Sequence, residues 1–253
     1  MKYVIILADG MSDYPIEELG GKTPMEYADK PVIDALAAKG EQFLCKTVPD
    51  DMKPGSDVAN LSVMGYDPHK YYTGRSPLEA ANIGIPLAPE DTAFRANLVS
   101  LSGEGEYENL IMKDYSAGEI STAESTKIIK TIAEKLNTDK IKFFGGVSYR
   151  HLMVKSGEGA SCELTPPHDI SGRPILEYLP KDMEILNLMK KSREILYNHP
   201  VNIRRRAEGK NTADSIWIWG EGKSASLPSF EKERGLKGAV VSAVDLVRGI
   251  GRL

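Results

Sequence analysis

Met1–Gly10 reads M-K-Y-V-I-I-L-A-D-G, and Asp51–Pro68 reads D-M-K-P-G-S-D-V-A-N-L-S-V-M-G-Y-D-P. The first stretch is an apolar run, Val4 to Ala8, that ends abruptly in Asp9-Gly10. Short continuous apolar runs suit strands that are covered on both faces, as in a parallel sheet. Ligands of open α/β sheets sit beyond the carboxyl ends of the strands, so Asp9 is expected to project into a site crevice. The second stretch places Ser56 after Pro54-Gly55, where Asp57 to Met64 begins to read as a helix. A hydroxyl there faces the positive end of the helix dipole and unpaired N–H groups, a natural place for phosphate. An acid at a strand end and a serine at a helix start predict a metal-assisted phosphoryl-transfer site. Taken singly, Asp9 could be a turn residue and Ser56 a helix cap.

The rest of the chain fits an α/β protein. Its 253 residues are 41% apolar, enough for a substantial core in one large domain or two. The net charge of -4 gives no basic footprint for nucleic acid. The first ten residues lack the basic region and cleavage site of a signal peptide, and no apolar run reaches membrane-spanning length. A cytoplasmic protein with no membrane partner is therefore expected, self-association being left open. Cys45 and Cys162 are expected to be two reduced, buried thiols.

Periodicity predicts strands at Tyr3–Ala8, Glu41–Val48, Thr92–Leu101, Ile141–Phe144, Ser148–Val154 and Ile216–Trp219, and a further strand at Ala239–Ala243 leading into a terminal helix. Helices are predicted at Pro31–Lys39 with Gly40 as C-cap, at Arg75–Ala81, at Ser121–Leu136 and at Asp182–Tyr197. Ser121 and Glu124 have the spacing of a capping box. Arg75 and Glu79 are expected to pair near the Ser56 loop. Trp217 and Trp219 alternate along one strand and should share a face packed against a helix.

Met1–Gly10, the P-G-S-D-V-A-N-L-S-V-M-G-Y-D-P stretch and Y-Y-T-G-R-S-P-L-E-A (Tyr71–Ala80) together resemble the archaeal-type, cofactor-independent phosphoglycerate mutases of the alkaline phosphatase superfamily. The likeness continues through A-F-R-A-N-L-V (Ala93–Val99), H-P-V-N (His199–Asn202) and G-A-V-V-S-A-V-D-L (Gly238–Leu246), in one collinear order. It implies an alkaline phosphatase-like core sheet with helices on both faces, interrupted by an inserted α+β cap domain. Residues 1–110 and 226–253 would form the metal-binding domain and 111–225 the cap. It also implies two divalent metal ions, manganese or zinc, with Asp9 and Ser56 among their ligands and Ser56 as nucleophile, and a small phosphorylated substrate. Several ligands of such a metal pair lie in Asp-x-x-x-His and Asp-His pairs, and no such pair occurs here after Gly220. The expectation is a chain that lacks part of its metal site and is inactive alone.

In the cap, Arg150, His168 and Arg205 read as a grip on the anionic groups of the substrate, Arg205 also matching the family's pattern Asn202, Arg205, Gly209, while Arg150 could equally be a surface arginine and His168 a turn-stabilising histidine. The charge run Arg204–Arg206 could equally be a solvated face. This chain departs from the family where the mutases carry D-R-R-A-G-R and R-G-A-G. It has D-Y-S-A-G-E (Asp114–Glu119) and W-G-E-G (Trp219–Gly222) instead. Those changes remove positive charge from a phosphoglycerate site. Together with D-Y-P-I-E-E-L-G-G-K-T-P (Asp13–Pro24) and T-P-P-H-D-I (Thr165–Ile170), they point toward a bacterial branch proposed as homoserine kinase. Three readings follow: interconversion of 2- and 3-phosphoglycerate through phospho-Ser56, phosphoryl transfer to homoserine, or an inactive fragment.

Overall fold

The computed structural model describes residues 2–8, 10–157, 159–160 and 162–253. The chain divides into two compact units, residues 1–46 and 47–253. In the first unit, α1 (Pro24–Tyr27) starts at a complete capping box between Thr23 and Glu26, and α2 spans Pro31–Lys39. The α2 assignment matches its periodicity. Gly40, however, closes the helix in extended backbone at φ -97 rather than in the left-handed conformation of a glycine cap. Cys45 is exposed, not buried as expected. Tyr3–Ala8 and Glu41–Val48 are not strands, and the side chains of Tyr3 to Leu7 are exposed. A strand needs neighbours to take its N–H and C=O groups, and none of the described residues pairs with either segment.

The second unit is built on one antiparallel sheet of five strands. Its axis is β1 (Asp91–Ser102), buried at every position except its two ends. Such a strand must be covered on both faces and paired on both edges. Along one edge, β1 pairs with β4 (Arg150–Ser156), which in turn pairs with β3 (Ile141–Val147). Along the other it pairs with β5 (Ser215–Lys223). β2 (Ile111–Asp114) takes the end of β1 through Ser100 to Ser102. The mixed α/β class therefore holds, and the sheet unites Asp91–Ser102 with strands from residues 111–225. Ala239–Ala243 is not a strand, for the same lack of a pairing partner among the described residues.

Helices cover the sheet. α6 (Thr122–Leu136) packs on β3 and begins at Ser121, whose hydroxyl accepts from the Glu124 N–H. α7 (Met183–Tyr197) packs on β5 and is capped by Asp182. Beyond the end of α7, Pro200 opens a further helix, α8 (Pro200–Ala207), as proline can at a first helical position. α3 (Ser56–Val63), α4 (Pro68–Tyr71) and α5 (Arg75–Asn82) precede the sheet, and α9 (Phe230–Arg234) and α10 (Asp245–Ile250) follow it. Leu61, Leu78, Leu246 and Ile250 form a second small core between α3, α5 and α10. No helix among the described residues is long and apolar enough to cross a membrane.

One crossing fixes α5 against the sheet. Gly74 has φ +127, and a Cβ there would lie 2.3 Å from the Glu221 carbonyl oxygen. A Cβ on Gly222 would lie 2.4 Å from the Thr73 carbonyl oxygen. Two backbones thus touch where no side chain fits, and the Thr73 hydroxyl donates to the Lys223 carbonyl at 2.8 Å. The Ser76 hydroxyl donates to the Gly220 carbonyl beside it. Gly74→Ala should cost about 2–5 kcal/mol in urea unfolding, the sum of strained backbone and overpacking. Gly105→Ala is the control: φ is +89, but nothing lies within 4 Å. It should cost only the backbone part, about 1 kcal/mol. Equal losses in the two variants would contradict the close-packed crossing.

Candidate active site

Alternation along β1 places Arg95 and Asn97 on one face. Their Cα partners on β5 are Trp219 and Trp217, and Asn97 also lies opposite Arg150 on β4. Arg95 lies over the Trp219 ring, its guanidinium carbon 4.8 Å from the centroid. The Trp219 indole N–H donates to the Asn97 side-chain oxygen at 3.1 Å. The two tryptophans do not simply pack against a helix as expected. Trp217 donates to the Thr165 carbonyl at 2.8 Å, and Trp219 forms the floor of a polar cluster.

α5 supplies the counter-charge. Glu79 accepts from Arg75 at 3.0 Å, the pairing expected from sequence, and also faces Arg95 at 3.3 Å. The second contact lies within ion-pair distance, but its angle is too poor for a hydrogen bond, so the buried Arg95 Nε has no hydrogen-bond partner. Burial, only partly offset by Glu79, pulls the Arg95 guanidinium below its ordinary value. Its charge is held by an acid on one side and an aromatic face on the other.

Above Trp219 stand three more rings. His168, exposed, meets Trp219 edge-on at 5.3 Å; Tyr115 meets His168 at 6.1 Å and Tyr149 at 5.8 Å. Arg150 lies 5.3 Å from the Tyr149 ring and has no acidic partner within ion-pair distance among the described residues. Arg150 and His168 are thus brought into one cluster. Next to Arg150, burial pushes the His151 imidazole down to about 3, and its Nδ1 accepts the Gly146 N–H at 3.0 Å.

Arg205 has a different place. It is buried, and its guanidinium donates to the Asn211 carbonyl at 2.7 Å, to Glu124 at 2.9 Å and to the Ala117 carbonyl at 2.8 Å. Every arm is committed inside the protein, so direct contact with a substrate would require breaking these bonds. Ser116 is likewise buried, its hydroxyl donating to Asp114 at 2.7 Å rather than facing a ligand.

Ser56 is the first residue of α3, with Gly55 at the N-cap. Its hydroxyl is exposed and makes no hydrogen bond with another described residue. Asp57 turns inward: it accepts from the Val58 N–H at 3.0 Å and from the Tyr72 hydroxyl at 2.7 Å. Gly55 is required there, because a Cβ would lie 2.3 Å from the Asp57 carboxylate. Burial, reinforced by Asp57, raises the Tyr72 hydroxyl well above its ordinary value. Asp57 is thus bonded to Tyr72, while Glu79 joins Arg75 to Arg95 on the neighbouring α5 and β1. Asp9 lies outside the described residues. Among those described, no three His, Cys, Asp or Glu side chains are grouped as a metal site would need.

A family model described as 2,3-bisphosphoglycerate-independent phosphoglycerate mutase matches residues 37–202. The chain belongs to this mutase family. It is 54% identical to a probable phosphoglycerate mutase of this type from Geobacter sulfurreducens and 51% identical to one from Methanosarcina mazei, in each case over 99% of the chain. It spans 63% of the length of each of those relatives. Among solved structures, it resembles a Pyrococcus horikoshii protein with TM-score 0.70 and 30% identity, covering 96% of this chain and 57% of that one. It also resembles a cofactor-independent phosphoglycerate mutase from Thermoplasma acidophilum, with TM-score 0.52 and 27% identity over 96% and 65% of the two chains.

Sequence reasoning did not single out Arg95 and Asn97, which sit in the Trp219 cluster, or Asp114, in the loop that Asn97 anchors. The signal for the first two was present in A-F-R-A-N-L-V, where two polar residues recur at strand spacing inside an apolar run. Asp114 accepts from the Ser116 N–H and hydroxyl, the Gly118 N–H and the Asn211 amide at 2.7–2.8 Å. Burial alone would raise its carboxyl. The bonds from Ser116, Asn211 and Gly118 outweigh burial and hold it below the usual range. A carboxyl lowered by folding contributes stability above its unfolded value, about 3.9, and loses it as pH falls through the folded value. The melting-temperature gap between the native chain and Asp114→Asn should therefore be widest near neutral pH and narrow toward about pH 3. A gap independent of pH would show that the charge on Asp114 is not what holds the loop.

Proposed function

We propose that the chain carries the serine and much of the substrate cradle of a phosphoglycerate mutase that moves a phosphoryl group between the 2- and 3-hydroxyls of glycerate through Ser56. The observation that carries this reading is the exposed, unbonded Ser56 hydroxyl at the first turn of α3, inside the stretch that matches the mutase family. In the first half-reaction the bond from Ser56 Oγ to phosphorus forms as the bond from phosphorus to the substrate oxygen breaks. The proton leaving Ser56 balances the one gained by the freed substrate hydroxyl. The second half-reaction returns the phosphoryl group to the neighbouring hydroxyl and restores Ser56. First-turn N–H groups and the helix dipole favour the dianionic phosphoserine between the two steps. Arg150, unpaired and half-buried, is the cation best able to take the glycerate carboxylate, with His168 beside it. Arg205 serves this cluster from beneath, through the loop it holds.

The family implies two divalent ions, manganese or zinc, with Asp9 and Ser56 as ligands. When bound they would supply charge neutralisation and a more acidic serine. The described residues do not by themselves form a ligand set, and no step here is assigned to a metal. The reading includes the two-part arrangement, 1–110 with 226–253 and a 111–225 cap, and a cytoplasmic protein.

A second reading, phosphoryl transfer to homoserine, is favoured by one observation. Where the mutases carry D-R-R-A-G-R and R-G-A-G, this chain puts Tyr115, Glu119 and Trp219, and two of these are rings of the cluster. A coupled mutase assay beside a homoserine phosphorylation assay, each with added manganese, separates the two. Ser56→Ala should lower phosphoryl transfer by about a thousandfold or more in whichever assay is positive. Arg150→Ala should raise KM for phosphoglycerate by about tenfold or more and leave kcat less affected, since a charged hydrogen bond contributes roughly 1.5–3 kcal/mol. Robust turnover by Ser56→Ala would overturn the phosphoserine route.

A further inference from the structure

Asp114–Glu119 is held more tightly than a surface loop requires. Ala117, Gly118 and Glu119 occur in succession with φ of 51, 66 and 48, and two of them are not glycine. Left-handed backbone at a residue with a Cβ is unfavourable and persists where the surroundings over-determine it. Here they do. Asp114 gathers the Ser116 N–H and hydroxyl, the Gly118 N–H and the Asn211 amide, and the Ser116 oxygen takes the Glu119 N–H at 3.0 Å. Arg205 closes the other side, donating to the Ala117 carbonyl and to the carbonyl of the same Asn211. Glu124 neutralises Arg205 from the first turn of α6. Asn97, on the central strand, anchors the Tyr115 carbonyl at 3.3 Å.

The residue this framework presents is Tyr115. Its ring meets both His168 and Tyr149 edge-on. The side chains of Asp114, Ser116, Asn211 and Arg205 are instead bonded to the loop itself. We propose that Asp114–Glu119 is the specificity loop of this site. Tyr115 forms with His168 the wall against the organic half of a small phosphorylated acid, and Asp114 and Arg205 are positioning residues that do not touch it. This rests on the phosphoglycerate reading for the identity of the ligand and on the geometry alone for the clamp.

The test uses the 253-residue chain and two readouts: the dissociation constant for 3-phosphoglycerate by calorimetry, and the His168 Cε1–H resonance without ligand. Tyr115→Ala and Asp114→Asn should each weaken binding roughly tenfold, the scale of one lost contact. The double variant should bind no more weakly than Tyr115→Ala alone, because the clamp acts only through the ring. Arg205→Lys, which loses the forked contact but keeps the charge, should follow Asp114→Asn. Effects of Asp114→Asn and Tyr115→Ala that multiply would overturn the positioning role. Without ligand, Asp114→Asn should shift the His168 resonance in the same direction as Tyr115→Ala, since both withdraw the neighbouring ring. An unmoved His168 resonance overturns the clamp whatever the binding result. A native chain that binds no 3-phosphoglycerate while His168 responds as expected would overturn the phosphoglycerate reading and confine the clamp to placing His168.

Discussion

Arg95 is a cation buried on the central strand of a five-stranded sheet, and the arrangement around it follows from the need to keep that charge satisfied. Removing a charge from water is costly unless it is paired, and here the compensation comes from two directions. Trp219, on the neighbouring strand, offers its ring face. Glu79 reaches down from α5, and α5 can come close enough because Gly74 and Gly222 allow two backbones to touch. The same Glu79 holds Arg75, whose charge is felt by the Tyr72 hydroxyl that anchors Asp57 behind Ser56. One buried charge thus ties the sheet and α5 into a single polar network.

That network divides the cations of the α+β scaffold into two kinds. Its buried cations, Arg95 and Arg205, are committed to internal partners and fix geometry. Arg150 is half-buried, stands over the Tyr149 ring and has no acidic partner among the described residues. The rings between them, Trp219, His168, Tyr115 and Tyr149, contact one another edge-on, a preferred arrangement for aromatic neighbours and one that leaves little freedom to rotate. The shape of this cluster is therefore set by packing and by a loop held from within.

Much of this was legible in the sequence where local rules decide the outcome. The helices over Pro31–Lys39, Ser56–Val63, Arg75–Asn82, Thr122–Leu136 and Met183–Tyr197 were marked by apolar period and caps. The strand through Ala93–Val99 was marked by its apolar run. Legibility failed where the answer depends on a distant partner. Tyr3–Ala8, Glu41–Val48 and Ala239–Ala243 have strand composition and no pairing strand among the described residues. Arg205 looked like a substrate arginine because one residue pattern cannot separate a guanidinium aimed at a ligand from one that holds Ala117, Asn211 and Glu124. Ser116 looked like a lost arginine, and its hydroxyl belongs to Asp114. Arg95 was hidden in plain alternation, because the ring and the carboxylate that justify it lie on other elements.

The most direct test of the account is to look for the phosphoryl group on the serine. The chain, incubated with 3-phosphoglycerate and manganese and quenched in acid, can be digested and sequenced by mass spectrometry. The account predicts one phosphoryl group on the peptide spanning Gly55 to Met64, at Ser56, and none in Ser56→Ala. Phosphate found on another residue while Ser56 stays unmodified would contradict it.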